Sequence, residues 1–327
     1  MRKPPKELPE KYYLDHFNEF VDFIIQQCTH LLDDKHQKFV KSYQQLGHDT
    51  QCMFVRVVNR QGRFITLNKM TYQEINDCPS QLLALERGNI LVKLSSDHIK
   101  AWLQQLTKIQ LLEILEQYAV SGVKKSASKQ VLLDQVIYSC TNTQCLSSDL
   151  AQQFRVKNFE SRLAYLLFLF FGDTSSGLDK FSMRDLGVLK TRKNSPKPTA
   201  RFDNLEQAQS VFYYSYKLGQ LNCNDLDIQK YALSNLSTLK HPEPAINCAQ
   251  SKQLKDEFFY LLGKQLLPEY PLLALEYLCA STHHKAQEKW LRELYKLGEK
   301  DRVKTELENI IDNSLDCLLY TSDAADE

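Results

Sequence analysis

The stretch QCMFVRVVNRQGRFITLNKMTYQEI, residues 51–75, decides the predicted fold of the amino-terminal part of this 327-residue chain. Between Met53 and Val58 successive side chains alternate with the period of a β-strand. Gln61-Gly62 follows as a turn, because glycine tolerates the positive φ that tight hairpins need. The pattern therefore predicts a β-hairpin whose returning strand covers residues 63–67.

Arginine side chains follow one rim of this predicted hairpin. Arg56 and Arg60 share a face of the first strand, and Arg63 comes directly after the turn. Helices predicted over residues 34–46 and 71–87 flank the hairpin. A basic two-stranded wing between helices is typical of a winged-helix-like module, and it can lie against a phosphate backbone. The alternative is a solvated hairpin in which arginine keeps a sheet edge soluble.

The hydrophobic pattern predicts a mainly α fold with three modules. Residues 1–94 form the winged-helix-like module with its small β-hairpin, residues 95–200 a SAP-like helical module with a basic linker, and residues 201–316 a TPR-like helical region. Residues 154–189 are predicted to be helical, with a loop at 172–177. In the last module helices are predicted at 205–221, 225–239, 252–267, 271–280, 284–297 and 300–312. Their rough pairing predicts a TPR-like superhelix, although the TPR consensus is not visible.

The second module carries a basic loop between two predicted helices. Thr107 precedes a leucine-rich helical pattern, which looks like the helix start of a SAP-like module. The turn after this helix holds Lys124 and Lys125, and Lys129 opens the next helix. Free amides at a helix N-terminus and nearby ammonium groups both favour phosphate. We therefore predict that the loop contacts DNA; the alternative is a flexible basic loop without a ligand.

Two further features are candidates for DNA contact. Lys190, Arg192 and Lys193 belong to the run LKTRKNSPKPTAR, which contains no acidic residue and whose prolines prevent a helix. This run is either a linker or a loop that tracks phosphates. Tyr13 is able to stack on a base or a ribose, and core packing at the start of an amphipathic helix is the alternative.

Several separate blocks, in the right order, resemble the Fanconi-associated nucleases, the family of VRR-NUC nucleases. The resemblance extends over roughly residues 8–205, and more vaguely to residue 312. The blocks are Tyr12-Tyr13-Leu14, Phe17, Gln51, Val55-Arg56-Val57, Arg60, residues 67–75, Phe170-Phe171-Gly172-Asp173, Asp185-Leu186-Gly187 and Arg201-Phe202.

This resemblance implies a divalent-metal-dependent nuclease that recognises branched and 5′-flap DNA and is linked to interstrand crosslink repair. It implies an N-terminal DNA-binding region with a SAP-like module, a TPR-like region that can hold a protein partner, and a C-terminal nuclease domain. Mg²⁺ or Mn²⁺ is expected for the parent enzyme. Tyr12 lies close to Met1, as in the short bacterial form.

The catalytic signature of that family is a Pro-Asp followed by a Glu-x-Lys, whose carboxylates hold the metal. The sequence contains no Pro-Asp dipeptide and no VRR triplet. We assign no catalytic residue, no metal ligand and no cofactor to this chain, and expect it to be inactive as a nuclease. Residues 317–327, CLLYTSDAADE, resemble a translated sequencing adaptor. They are therefore expected to be a library scar, with the gene cut near Asp316.

The composition limits the other possibilities. The formal net charge is only +1, so DNA contact requires local basic patches. Nine cysteines without a Cys-x-x-Cys pair suggest buried thiols in a reducing cytoplasm. The longest apolar run, Leu163–Phe171, has about half the roughly 20 residues of a membrane span, and no membrane partner is expected.

Two rival functions remain open: a helical-repeat scaffold for protein interactions and a winged-helix transcription regulator. The scaffold predicts basic side chains scattered over the surface. The nuclease part predicts that those of the first two modules gather on one surface, and that DNA is recognised by shape. The regulator predicts readout of one DNA sequence.

Overall fold

The structure is a computed structural model that describes residues 9–180, 199–239 and 244–323, with side chains up to residue 311. The chain divides into two compact units: residues 1–172 with 176–200, and residues 173–175 with 201–327. The division near residue 200 coincides with a predicted module limit, whereas residue 94 lies inside the first unit. The mainly α fold class is confirmed.

The amino-terminal helices of the first unit surround an aromatic core. They are α1 (Tyr12–Gln27), α2 (Asp34–Gln44), α3 (His48–Val58) and α4 (Cys78–Arg87). Phe17, Phe54 and Phe159 are each at most 2% exposed, and their rings meet edge to face or tilted. The α2 helix begins where Asp33 accepts the backbone N–H of His36, as an N-cap residue should. Helix prediction for residues 34–46 is thus confirmed, while the helix predicted at 71–87 begins only at Cys78.

The predicted β-hairpin is wrong. Residues 48–58 form the helix α3, and only Phe64–Thr66 of the returning segment is a strand, β1. Four consecutive side chains, Cys52 to Val55, are buried, so this run has no solvent face to reveal its period. Short apolar runs that are buried on most sides fit the strand and the helix template equally well. Arg56 therefore lies on a helix and not on a wing.

The small sheet of the described residues is assembled from distant segments. Its strands are β1, β2 (Leu91–Val92) and β3 (Phe154–Lys157), with β3 in the centre and antiparallel to both others. Phe64 pairs with Val156, and Leu91 pairs with Lys157. The sequence pattern predicts a helix for residues 154–157. This prediction is wrong, because all four side chains of the central strand are buried and show no alternation.

The helices α5 (Ile99–Gln105), α6 (Lys108–Gln117), α7 (Lys129–Ser139), α8 (Asn142–Ser147) and α9 (Asp149–Gln152) form one core with Trp102, which is fully buried. Thr107 and Ser128 cap α6 and α7 by accepting backbone N–H groups of the first turn, so both predicted helix starts are confirmed. A further helix, α10 (Glu160–Phe171), packs against α1 and α2, and the Phe170 ring meets those of Phe20 and Phe23 on α1.

The second unit contains helices close to all six predicted positions. They are α11 (Leu205–Asn222), α12 (Ile228–Ser234), α13 (Ala249–Leu266), α14 (Pro271–Cys279), α15 (His284–Lys296) and α16 (Lys300–Asp323). Its core includes Tyr214, Phe258 and Tyr277, and the Tyr277 hydroxyl donates to the carbonyl oxygen of Ala232 at 2.9 Å. The TPR-like character of this unit stays a prediction. None of the described helices is both long and apolar enough to cross a bilayer.

Gly263 marks the closest approach of α13 and α14. A Cβ atom at this position would lie 2.7 Å from Cγ of Leu278, which is fully buried. We expect Gly263→Ala to destabilise the second unit by about 1–2 kcal/mol. Overpacking costs about 1–3 kcal/mol, and the higher helix propensity of alanine offsets up to about 1 kcal/mol of this cost. Urea unfolding followed by Trp290 fluorescence in a Trp102→Phe background measures this effect, since the chain has two tryptophans, one in each unit.

Gly219→Ala is the matched control for this prediction. Gly219 is also a helical glycine of the second unit, but an added Cβ would meet only Thr174 Oγ1, at 3.9 Å. The control variant is expected to gain up to about 1 kcal/mol from helix propensity. Equal stability of the two variants would contradict close packing at Gly263.

Candidate nucleic-acid interface

Arg56, the first of the predicted DNA contacts, is held inside a cluster of side chains from the first unit. Its guanidinium carbon lies 4.0 Å from the ring centroid of Tyr13 and 4.8 Å from that of Tyr72. Arg56 Nε donates to Glu74 Oε1 at 2.8 Å, and the Tyr13 hydroxyl donates to the same oxygen at 3.0 Å. Arg56 Nη2 contacts this oxygen as well. The cluster therefore joins α1 and α3 to the segment before α4.

The electrostatics of this cluster favour the ion pair. The Glu74 side chain is only 8% exposed, and that of Arg56 is 30% exposed. Burial alone would raise the pKa of Glu74, but its own backbone N–H and the donors of Arg56 and Tyr13 hold this pKa below its ordinary value. Burial also raises the pKa of Tyr13 above its ordinary value, so the phenol stays protonated and remains a donor. In this geometry Arg56 and Tyr13 act as internal supports.

Arg60 and Arg63 flank the turn between α3 and β1. Arg60 Nε donates to the Tyr72 hydroxyl at 3.1 Å and is exposed. Arg63 is exposed too, with Nη2 3.3 Å from Nε2 of His98. Burial and the charge of Arg63 hold the pKa of His98 below its ordinary value. Because Nδ1 of His98 accepts the backbone N–H of Ser95, a neutral His98 carries its proton on Nε2. Arg63 therefore lies beside this ring without a hydrogen bond to Nε2, and its guanidinium stays available to a phosphate.

The carboxyl end of α5 brings two of the predicted basic segments together. A Cβ atom on Gly62 would lie 3.6 Å from the side-chain oxygen of Gln105, so the turn that carries Arg63 lies against this end of α5. Lys129 Nζ, at the start of α7, donates to the neighbouring carbonyl oxygen of Gln104 at 2.8 Å. The turn that carries Arg63 and the start of α7 thus contact adjacent residues at the carboxyl end of α5.

Lys124 and Lys125 lie in the exposed loop before α7, and together with Lys129 they form what we call the lysine loop. Lys125 Nζ is 3.0 Å from Glu116 Oε1, but the two side chains are 80% and 58% exposed. Exposed pairs of this kind contribute at most about 1 kcal/mol, so Lys125 can exchange Glu116 for a phosphate at little cost. Lys108 opens α6 directly after the Thr107 cap, and sequence reasoning missed it even though the cap marked its position.

Lys190, Arg192 and Lys193 lie outside the described residues. His98 was missed in the sequence, although its spacing from Ser95 is a signal. Ser95 N–H donates to Nδ1 of His98 at 3.1 Å in a capping box, and the other ring nitrogen, Nε2, faces Arg63.

One group of side chains in the described parts of the chain has metal-ligand types close together: His48, Asp49 and Cys52. Asp49 already accepts from Asn76 Nδ2 at 2.9 Å and lies 3.4 Å from Lys11 Nζ. Burial raises the pKa of the Cys52 thiol, which opposes the thiolate that a metal needs. A thiol and an imidazole are also poor ligands for Mg²⁺ or Mn²⁺, which prefer oxygen. The group does not fit these ions.

Residues 11–91 match the family model described as FAN1, HTH domain. The chain is 25% identical over 143 residues to a Fanconi-associated nuclease 1 homolog from Oryza sativa subsp. japonica, and 24% identical over 201 residues to one from Arabidopsis thaliana. A homolog from Pseudomonas aeruginosa is 35% identical over 71 residues. The aligned segments cover 44%, 58% and 21% of this chain, but only 14%, 22% and 13% of these relatives.

Solved structures extend the likeness over nearly the whole chain. Crystal structures of paFAN1 bound to 2nt and 1nt 5′ flap DNA with gap superpose with TM-scores of 0.71 and 0.69, at 18% and 17% sequence identity. The matches cover 91% and 90% of this chain and 54% of each of those chains. At this identity the likeness establishes a shared fold, and this chain spans about half the length of the solved ones.

Proposed function

We propose that this chain is the DNA-binding and scaffold portion of a structure-specific repair nuclease of the Fanconi-associated nuclease family, whose HTH-domain model matches residues 11–91. In this proposal the chain binds branched or 5′-flap DNA. The observation that carries this proposal is the junction at the end of α5. There the turn with Arg63 and the start of α7 with Lys129 contact adjacent residues, Gln105 and Gln104.

The proposed interface consists of Arg60, Arg63, Lys124, Lys125 and Lys129 around that junction. Two capped helices, α6 and α7, begin in the same module, and the unpaired amides of a helix start attract phosphate. Contacts of this kind follow the backbone and carry no base sequence. They suit recognition of a DNA shape better than the sequence readout expected of a regulator.

Arg56 and Tyr13 have a supporting role in this proposal. Their cluster with Glu74 fixes α3 and, through it, the turn that carries Arg60 and Arg63. The ion pair occupies the charge of Arg56, so a phosphate contact there would require breaking it. Arg60 and Arg63 thus belong to a turn that follows the helix α3, and not to the rim of a β-wing.

The parent enzyme is proposed to hydrolyse phosphodiester bonds with Mg²⁺ or Mn²⁺ during interstrand crosslink repair, in the cytoplasm at the nucleoid. The ion would neutralise the phosphate and activate water. Since His48, Asp49 and Cys52 do not fit it, no hydrolytic step is derived from this chain. A protein partner for the TPR-like region stays a prediction.

Charge reversal at the lysine loop tests the proposal. We expect Lys124→Glu, Lys125→Glu and Lys129→Glu together to weaken binding of a fluorescently labelled 5′-flap DNA by about 10- to 100-fold at about 0.1 M salt. The slope of log affinity against log salt should fall by about the number of phosphate contacts removed. Fluorescence anisotropy over a salt series measures both quantities, and circular dichroism checks the fold.

The matched control reverses three exposed lysines of the second unit, Lys252, Lys264 and Lys285. It changes the net charge equally but is expected to alter affinity by less than about threefold. An equal loss in both triple variants would mean that only total charge matters. That result, or unchanged affinity in the first variant, contradicts the proposed interface.

A further inference from the structure

A pocket of about 390 Å³ opens in the first unit between the segment after β1 and α4. Its walls are almost wholly apolar, and no aromatic ring is among the residues that line it. The apolar lining comes from Leu67, Met70, Pro79, Leu82 and Leu83. Leu83 is half exposed, at 50%, so a large apolar side chain stands at the pocket without a full packing partner.

The two charged residues that line the pocket neutralise each other. Arg155 Nε lies 2.8 Å from Glu86 Oε1, and their side chains are 10% and 18% exposed. Arg155 Nη1 also donates to the carbonyl oxygens of Gln152 and Phe154, at 2.8 Å each. These groups are committed to β3 and α4, so the pocket is suited to a ligand that needs little polar contact.

This lining favours a hydrocarbon side chain over a nucleobase. An extruded base needs hydrogen-bond partners along its edges, and it usually stacks on an aromatic ring or an arginine plane. Leucine and phenylalanine side chains need neither, and a concave apolar pocket is their ordinary binding site. The occupant we infer is therefore a peptide segment.

Charge around the pocket specifies this peptide further. Lys69 lies between Asn68 and Met70, which both line the pocket, and Arg87 is one helical turn beyond Leu83. Both cations are exposed, and neither forms an ion pair with another described residue. We propose that this pocket binds a segment of a partner protein in which leucine or phenylalanine lies between acidic residues.

The test uses the full chain and four fluorescein-labelled hexapeptides. Each has Asp-Glu before and Glu-Asp after two central positions, which hold leucine or phenylalanine in every combination. We expect saturable binding of at least one peptide. Serine at both central positions, or lysine in all four flanking positions, should weaken it by at least about tenfold, because each removes one half of the recognition.

Leu83→Asp removes an exposed wall of the pocket without opening the core, and it should weaken peptide binding by at least about tenfold. Leu233→Asp is the matched control, because Leu233 is an exposed leucine (58%) on another helix. No saturable binding up to about 1 mM, or equal loss in both variants, overturns the proposal.

A duplex with one extrahelical base provides the remaining arm of the test. If Leu83→Asp weakens this duplex and leaves the peptides unaffected, the pocket takes a base and the proposal is overturned. The lysine-loop variant should bind the peptides normally. Failure of the peptide site is therefore distinguishable from failure of the proposed DNA interface.

Discussion

Phe54→Ala is expected to destabilise the first unit by about 4 kcal/mol, within the range of about 3–5 kcal/mol for buried phenylalanines. Phe54 is fully buried on α3. Its ring centroid lies 5.4 Å from that of Phe17, 5.3 Å from that of Tyr43 and 5.0 Å from that of Phe159. Truncation would leave a cavity among rigid rings, which cannot collapse to fill it.

Trp102 fluorescence in a Trp290→Phe background reports unfolding of the first unit alone, because Trp102 is the tryptophan of that unit. Phe54→Leu is the control, and it should cost only about 1–1.5 kcal/mol because most of the volume is retained. Were residues 51–58 the exposed strand of a wing, Phe54 and Val55 would point to opposite faces, and one of them would tolerate polar substitution. A loss below about 1 kcal/mol for Phe54→Ala would contradict burial on a helix.

Phe54 also illustrates why the sequence misleads here. The run Cys52–Val57 is too short and too apolar to distinguish a period of two from a period of 3.6. For the same reason the sequence predicts a helix where β3 lies. A central strand that is buried on both faces does not show the alternation of polar and apolar residues. Where one face is solvated, as on α11 to α15, the helices lie close to their predicted positions.

The candidate interface was only partly predictable for a related reason. The loop with Lys124, Lys125 and Lys129 follows from local cap and turn signals that lie within a few residues. The ion pair of Arg56 and Glu74 joins residues that are 18 positions apart in the sequence, and neither segment contains a pattern that predicts it. The meeting of Arg63 with α5 likewise depends on tertiary packing, which an unaligned sequence does not encode visibly.

Glu74→Ala is expected to destabilise the first unit by about 2–3 kcal/mol. Breaking a buried ion pair from one side costs about 3–5 kcal/mol, and the 30% exposure of Arg56 lowers this value because water can reach the remaining charge. Arg56 would stay stacked between Tyr13 and Tyr72, while the Tyr13 hydroxyl would lose its acceptor. Glu74→Gln retains an acceptor for that hydroxyl and should cost less.

The double variant Arg56→Met with Glu74→Ala separates the ion pair from simple packing. If the unpaired charge of Arg56 causes most of the loss, the double variant should be more stable than the sum of the two single effects predicts, by at least about 1 kcal/mol. Additive effects would mean that the two side chains do not interact, which contradicts the geometry of the cluster.

The pH dependence of stability gives a second view of the same cluster. The pKa of Glu74 is lower in the folded protein than its ordinary value of about 4.3 in an unfolded chain. Its stabilising contribution is therefore complete above that ordinary value, and it is lost as pH falls through the lowered folded pKa.

Because Asp33 and Asp49 also have lowered pKa values, wild type and Glu74→Ala must be compared at each pH. The stability gap between them should be constant from neutral pH to about pH 5 and narrow below about pH 4. A gap that stays constant down to pH values at which the unfolded glutamate is fully protonated would show that the carboxylate charge is irrelevant, and would leave Arg56 free to bind phosphate.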